Sequence, residues 1–273
     1  MKKHWFSLAI ASFGLALICN PGTASADPHV FEASGATPAD IQSTVNAFRA
    51  HLGHNNGIGG TFIGGRREIN WDGVPDQFAA PNLMPANFFN SNSPRGVLFL
   101  TPGTGFEVSA NSINPTNTPV RFGNIRANFP NIFSTFSPQR LFTALDSNIT
   151  EALFFIPGTT QTARVRGFGV VFTDVNSDSS TTIEYLDVNG NLLLSRDVLP
   201  GPSVRGSLSF LGVIFDSPEV FLVRITSGNS ILRTPATVAA PAAVTGNDSA
   251  TADLTQDVVV MDDFIYGEPR LLQ

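Results

Sequence analysis

The sequence is short of three residue types on which many enzymes and metal proteins depend. Its only cysteine is Cys19, its only lysines are Lys2 and Lys3, and no histidine follows His54. A cysteine nucleophile is therefore excluded from residues 27–273, and a tetrahedral zinc site would need histidines grouped with carboxylates. The sequence also has no G-x-S-x-G or H-E-x-x-H motif. The sequence therefore does not indicate a serine hydrolase with a nucleophile elbow or a zinc protease.

Charge is scarce as well. Charged residues make up 14% of the chain, against about 25% in an average soluble domain. Residues 27–273 contain 14 arginines and 22 acidic residues, a formal net charge of about −8. A chain with this acidic excess and no basic block is not expected to bind nucleic acid. No segment after residue 26 is apolar for the roughly 18 residues of a membrane span.

The first residues have the order of a secretory signal peptide. Lys2 and Lys3 precede an apolar run over residues 6–18, and the small residues of positions 24–26 follow it. This order predicts cleavage after Ala26. We therefore expect a secreted, extracellular protein, in which residues 27–273 form a single domain.

One helix stands out in the remaining sequence. Thr37 is a suitable N-cap, Pro38 fits the first helical position, and Gly53 ends the pattern. The apolar residues between them recur at intervals of four, three and four, which indicates a helix over residues 38–52 with one buried face. They are Ile41, Val45, Phe48 and Leu52.

From residue 95 onward the sequence is typical of short strands. Ten apolar segments alternate with turn residues and have almost no helical pattern between them, which favours antiparallel sheets. Asn189-Gly190 predicts the clearest hairpin. Residues 234–252 are rich in alanine, threonine and proline and indicate a flexible insertion. The sequence therefore predicts an all-β fold, a two-sheet antiparallel β-sandwich with one N-terminal helix.

Carboxylates provide the remaining chemistry. Glu68, Asn70 and Asp72 alternate as the E-x-D-x-E set of some retaining glycosidases does, but Asn70 replaces the central acid and Asp72 has a shorter reach. We expect this set not to be catalytic. Trp71 and Asp72 are candidate ligand-binding residues, and the alternative is a capped turn that anchors the loop through a buried Trp71.

Calcium is the metal that such oxygen ligands favour. Asp262 and Asp263 are adjacent in a predicted strand, so their side chains should point to opposite faces and one should point inward. Asp174 and Asp178 belong to a D-x-N-x-D segment and are weaker candidates, because Ser179 replaces the glycine of an EF-hand loop. A plain polar hairpin loop is the alternative for that segment.

Several segments resemble uncharacterised bacterial exported proteins, many of which have PEP-CTERM sorting tails. This resemblance implies an extracellular all-β protein and brings no known activity. The chain differs from the tailed members in ending without a hydrophobic helix and a basic terminus, so free release is expected. The segments are Ala47-Phe48-Arg49-Ala50-His51-Leu52-Gly53, Gly65-Arg66-Arg67-Glu68-Ile69-Asn70-Trp71-Asp72-Gly73-Val74, Ser93-Pro94-Arg95-Gly96, Phe168-Gly169-Val170-Val171-Phe172-Thr173-Asp174-Val175 and Asp262-Asp263-Phe264-Ile265-Tyr266-Gly267-Glu268.

A looser resemblance is to jelly-roll carbohydrate-binding modules. In those modules a Phe-Glu pair near the N-terminus and an Asp in the last strand hold a structural calcium. Phe31-Glu32 and Asp262-Asp263 match these positions. The resemblance thus implies a sandwich of jelly-roll type and a calcium site formed by Glu32 with Asp262 or Asp263.

Three functions remain open at this stage. The first is a secreted, non-catalytic protein that binds a glycan or another surface polymer or serves in the extracellular matrix. The second is a hydrolase or lyase of carbohydrates that uses carboxylates, and the third is a purely structural surface protein. The sequence decides neither the ligand nor the oligomeric state.

Overall fold

A computed structural model describes residues 27–233 and 257–271. The predicted signal peptide, residues 1–26, and the predicted insertion, residues 234–252, lie outside the described residues. No helix in the described part of the chain is both long enough and apolar enough to cross a membrane.

The described residues are mainly short strands. Two α-helices accompany them, α1 (Pro38–Leu52) and the single turn α2 (Phe88–Ser91). The strands are β1 (His29–Gly35), β2 (Arg66–Ile69), β3 (Val97–Leu100), β4 (Gly105–Val108), β5 (Phe142–Leu145), β6 (Ile149–Phe154), β7 (Ala163–Arg164), β8 (Gly167–Thr173), β9 (Thr182–Leu186), β10 (Leu192–Asp197), β11 (Leu208–Ile214), β12 (Leu222–Thr226), β13 (Val260–Gly267) and β14 (Arg270–Leu271).

The strands form two large antiparallel sheets. The seven-stranded sheet has the order β1-β11-β8-β13-β5-β4, and β2 pairs with the far part of β13. The five-stranded sheet has the order β10-β9-β12-β6-β3. From β5 to β13 the chain crosses repeatedly between the sheets, except at the β9–β10 hairpin, so that the set β5-β13-β8-β11 faces the set β6-β12-β9-β10. This is the eight-stranded double Greek key of a jelly roll, and it confirms the predicted two-sheet sandwich.

Helix α1 confirms the predicted N-terminal helix, with the predicted bounds. The Asp40 carboxylate accepts hydrogen bonds from the Thr37 amide (2.8 Å) and hydroxyl (2.9 Å), which fixes the first turn. The four predicted apolar residues are fully or almost fully buried on the outside of the seven-stranded sheet. Phe48 packs there against Gly169 and Gly212, where an added Cβ would lie 3.0 and 2.7 Å from its ring.

The main core lies between the two sheets and is dominated by aromatic rings. Trp71 stacks on Phe142 with ring centres 4.0 Å apart, and Phe99, Phe106 and Phe264 surround the pair. Close packing of this kind is how a sandwich without disulfides in its described part gains its stability. A further apolar cluster lies under the segment of residues 110–133.

Candidate functional site

A β-bulge in β13 places the two adjacent aspartates on the same side of the sheet. Met261 pairs with Phe172 and Phe264 with Val170, so two residues of β13 oppose the single residue Val171. Met261 and Phe264 both point into the main core. Asp262 and Asp263 therefore both point away from it, toward α1, and the expectation that they point to opposite faces is wrong.

Asp262 is completely buried and binds the loop that precedes β5. Its Oδ2 accepts the amide of Phe136 (2.6 Å), and its Oδ1 accepts the hydroxyl of Ser137 (3.0 Å). Burial, followed by the charge of Asp263, raises the pKa of Asp262 well above its usual range. Asp262 thus acts as an internal support for this loop.

Asp263 joins the helix to the sheet. Its Oδ2 accepts Arg49 Nη2 of α1 at 2.8 Å, and the same nitrogen lies 3.0 Å from Glu68 Oε2 of β2. Glu68 also binds Arg66 Nε at 2.5 Å. Burial raises the pKa of Asp263, while Ser137 and Arg49 lower it. Its Oδ1 is buried without a hydrogen-bond partner among the described residues.

The structure places Trp71 in the core, where 1% of it is exposed. Strand β2 ends at Ile69, and the chain turns at Trp71 with φ of 64°. The indole Nε1 donates to the carbonyl of Asp262 at 2.7 Å and so satisfies a backbone oxygen in the bulge. The buried-anchor alternative describes this residue, and Trp71 has no ring face for a ligand.

The set of Glu68, Asn70 and Asp72 does not share a strand face. Only Glu68 belongs to β2, and Asn70 is exposed beyond its end. Asp72 is half-buried after the turn, where its Oδ1 accepts the amide of Arg140 at 3.1 Å. Burial raises the pKa of Asp72. The regular alternation that a retaining glycosidase would require is therefore not formed.

The calcium site predicted from Glu32 with Asp262 or Asp263 is not assembled. Two strands, β11 and β8, separate β1 from β13, a distance of about 14 Å at roughly 4.8 Å per strand. Glu32 instead accepts Arg196 Nη2 at 2.8 Å. This ion pair joins the edge strands β1 and β10 of the two sheets.

The loop that contains Asp174 and Asp178 donates hydrogen bonds to the carboxylate of Asp257. The amide of Asn176 (3.1 Å) and the hydroxyl of Ser180 (2.6 Å) both donate to Asp257 Oδ2, so the loop directs its donors inward. Asp174 Oδ1 accepts the amide of Gly206 at 3.0 Å, whereas Asp178 is exposed and apart from it. Across residues 27–233 and 257–271, no group of three histidine, cysteine or acidic residues is arranged to hold a metal.

The loop of residues 53–65, here called the glycine loop, is organised around a buried ion pair. Arg67 and Glu268 are almost completely buried, and Arg67 Nε and Nη2 donate to the two carboxylate oxygens at 2.6 and 2.7 Å. The other donors of Arg67 bind carbonyls within the loop. These are the carbonyls of Gly57 (2.9 Å), Gly59 (2.7 Å) and Gly60 (3.0 Å).

Glu268 also binds the loop directly. It accepts the side chain of Asn56 at 2.8 Å and the amide of Phe62 at 3.3 Å. The loop thus has a fixed shape, yet it exposes three apolar side chains to solvent. Ile58 is 60% exposed, Phe62 45% and Ile63 87%. The sequence analysis missed this surface. Its signal in the sequence is a set of apolar residues among glycines, followed by an arginine.

The tryptophan and tyrosine residues of the described chain all lie in the core. Trp71, Tyr185 and Tyr266 are each at most 1% exposed, so none of them offers a stacking platform. Phe62 is the most exposed of the described phenylalanine, tyrosine and tryptophan residues. The candidate functional site is therefore the glycine loop rather than the carboxylates that the sequence indicated.

Comparisons with known proteins add no relative. No protein-family model matches the chain, and no curated protein or solved structure is significantly similar to it.

Proposed function

We propose that this is an exported, non-catalytic jelly-roll protein that binds a polysaccharide or a similar surface polymer through its glycine loop. The observation that carries the proposal is the combination of a loop backbone anchored by Arg67 with exposed Ile58, Phe62 and Ile63. Exposed apolar groups are costly to maintain in water and commonly mark a contact surface. A loop that is already ordered loses little entropy on binding.

The chemistry of the loop suits a sugar polymer. The half-exposed ring of Phe62 offers an apolar face, and the neighbouring exposed side chains of Asn55 and Thr61 offer hydrogen-bonding groups. Binding sites for small polar molecules usually combine an apolar surface with a few such groups.

The arrangement of the carboxylates supports the non-catalytic part of the proposal. Asp262 supports a loop, Asp263 and Glu68 share Arg49, and Asp72 accepts a backbone amide. Each of these acids is engaged within the fold. A general acid or nucleophile has to reach the substrate within hydrogen-bond distance.

Binding to immobilised polysaccharides tests this proposal. We expect Phe62→Ala and Ile63→Ser each to weaken binding about tenfold, equivalent to 1.4 kcal/mol, and Ile63→Ser to leave the melting temperature unchanged. Ile113→Ser is the matched control, because Ile113 is 85% exposed, close to the 87% of Ile63, but lies outside the loop.

The same samples separate the other two functions. Release of reducing sugar from a bound polymer would support the carbohydrate-active enzyme instead. If no polymer binds, or if Ile113→Ser weakens binding as strongly as Ile63→Ser does, the glycine loop is not the contact surface.

A further inference from the structure

The outer face of the five-stranded sheet has a continuous row of leucines. Direct cross-strand pairs join Leu98 to Leu153, Leu153 to Leu222, Leu222 to Leu186, and Leu186 to Leu192. We call these five residues the leucine row. The row crosses all five strands, a length of about 19 Å for four spacings of roughly 4.8 Å.

The side chains of the leucine row point away from the core. Their neighbours along the strands, such as Val97, Val223 and Tyr185, are fully buried between the sheets, and side chains alternate along a strand. Leu192 is 56% exposed and the other four are half-buried. In the described part of the chain, none of the five belongs to a packed apolar cluster.

A charged row lies beside the leucine row on the three central strands β9, β12 and β6, two residues along each of them, whereas β3 has Leu100 at this position. Arg224 occupies its centre, 2.7 Å from Glu151 on one neighbouring strand and 3.5 Å from Glu184 on the other. Arg224 is cross-strand partner to both acids. The order of charges across the sheet is therefore negative, positive, negative.

We propose that this face binds a second copy of the same chain, with the sheets packed face to face. A twofold axis parallel to the strands, between β6 and β12, would place Leu222 of one protomer over Leu153 of its partner. The same axis would place each Arg224 over Glu151 of the other protomer. Arg224 and Glu151 are thus self-complementary under the symmetry of a dimer.

Two other occupants fit this surface less well. A lipid surface has no fixed charges that complement Glu151 and Arg224 position by position, as those of a second copy do. A sugar polymer would find no aromatic side chain in either row. A second sheet with an identical leucine row provides apolar contacts at the usual sheet-to-sheet distance of about 10 Å.

Sedimentation velocity of the protein without residues 1–26 tests the dimer. We expect the wild type to sediment as a dimer and Leu222→Asp to sediment as a monomer with an unchanged melting temperature. Leu199→Asp is the control, because Leu199 is 39% exposed and lies outside the five-stranded sheet. A monomeric wild type, or a Leu222→Asp protein that remains dimeric, would overturn the proposal.

Exchange of charges tests the geometry independently of Leu222. Arg224→Glu and Glu151→Arg should each weaken the homodimer, because each places like charges across the axis. A mixture of the two variants should form a heterodimer, since opposite charges then face each other at both positions. If the mixture forms no more dimer than either variant alone, the proposed register is wrong.

Discussion

At the scale of single residues, Glu107 is an acid that is buried beside an amide. It is 1% exposed, on the side of β4 that faces the segment of residues 110–133, and its Oε1 accepts Asn124 Nδ2 at 2.9 Å. Burial raises the pKa of Glu107 to about 7. Asn124 Oδ1 has no hydrogen-bond partner in the described chain, and a protonated Glu107 has the donor that this oxygen lacks.

We expect Glu107→Gln to stabilise the protein at pH 8 and to change little at pH 4.5. The pKa of Glu107 is raised in the folded state, so its stabilisation is complete below the unfolded value near 4.5 and is lost as the pH rises through about 7. The shift corresponds to about 3 kcal/mol. Urea unfolding at both pH values measures it, with Asp216→Asn as an exposed control. An equal effect at both pH values would contradict this explanation.

Trp71→Phe should destabilise the protein by about 2–4 kcal/mol. The substitution leaves the buried carbonyl of Asp262 without its donor, which costs about 1–3 kcal/mol, and it removes packed atoms from the core. Phe99→Leu serves as a control that removes core atoms without removing a hydrogen bond. Urea unfolding followed by circular dichroism measures both variants. A smaller loss for Trp71→Phe than for Phe99→Leu would show that the hydrogen bond contributes little.

At the scale of helices and strands, a segment can be predicted when the residues that determine its structure lie close together in the sequence. Helix α1 was predictable because its caps, its first-turn proline and its apolar spacing all lie within residues 37–53. The β9–β10 hairpin was also predictable, although Gly190 adopts a positive φ alone and Asp187 orders the turn by accepting the amides of Asn189 and Asn191.

The bulge in β13 could not be predicted in the same way. Its existence depends on the register against β8, which pairs residues about 90 positions away in the sequence. A strand without the bulge alternates strictly, which led to the expectation that Asp262 and Asp263 point to opposite faces. Glu32 does not lie beside Asp262 or Asp263 for a related reason. The order of the strands in the sheet, which residue type does not reveal, determines which acidic side chains are neighbours.

The anchor of the glycine loop gives a prediction for that element. Glu268→Gln should destabilise the protein by about 3 kcal/mol, because it leaves the guanidinium of Arg67 buried without a counter-charge. It should also weaken polymer binding, since Phe62 and Asn56 donate to different oxygens of Glu268 and a glutamine keeps only one of them. Urea unfolding and the polysaccharide assay measure the two effects, with Glu219→Gln as the control. Full binding by a destabilised Glu268→Gln protein would show that the loop keeps its shape without this anchor.

At the scale of the whole molecule, burial raises the pKa of several carboxyl groups at once. Asp72, Asp257 and Asp263 share this direction with Glu107 and Asp262. Each such group stabilises the fold at low pH and loses that contribution as the pH rises through its folded pKa. The melting temperature of the wild type should therefore be higher at pH 5 than at pH 8. A melting temperature that rises steadily toward pH 8 would mean that ion pairs such as Arg67 with Glu268 dominate instead.

The sandwich itself was predictable from the sequence, because many short strands with little helix leave few other ways to bury a face. Its functional surfaces were not. The five residues of the leucine row lie on five different strands and are spread over residues 98–222. Only the cross-strand register brings them together. The glycine loop was overlooked because its anchor, Glu268, is 201 residues away from Arg67.

The bulge in β13 also has a consequence for insertions and deletions. Val259, Met261, Phe264 and Tyr266 all point into the core, at spacings of two, three and two. Loss of one aspartate would make every spacing two, whereas loss of Ile265 would turn Tyr266 outward. A deletion scan along β13 should therefore find its most tolerant positions at Asp262 and Asp263. In this sense one residue of the acidic pair is surplus to the ladder, and the sheet accommodates it as a bulge.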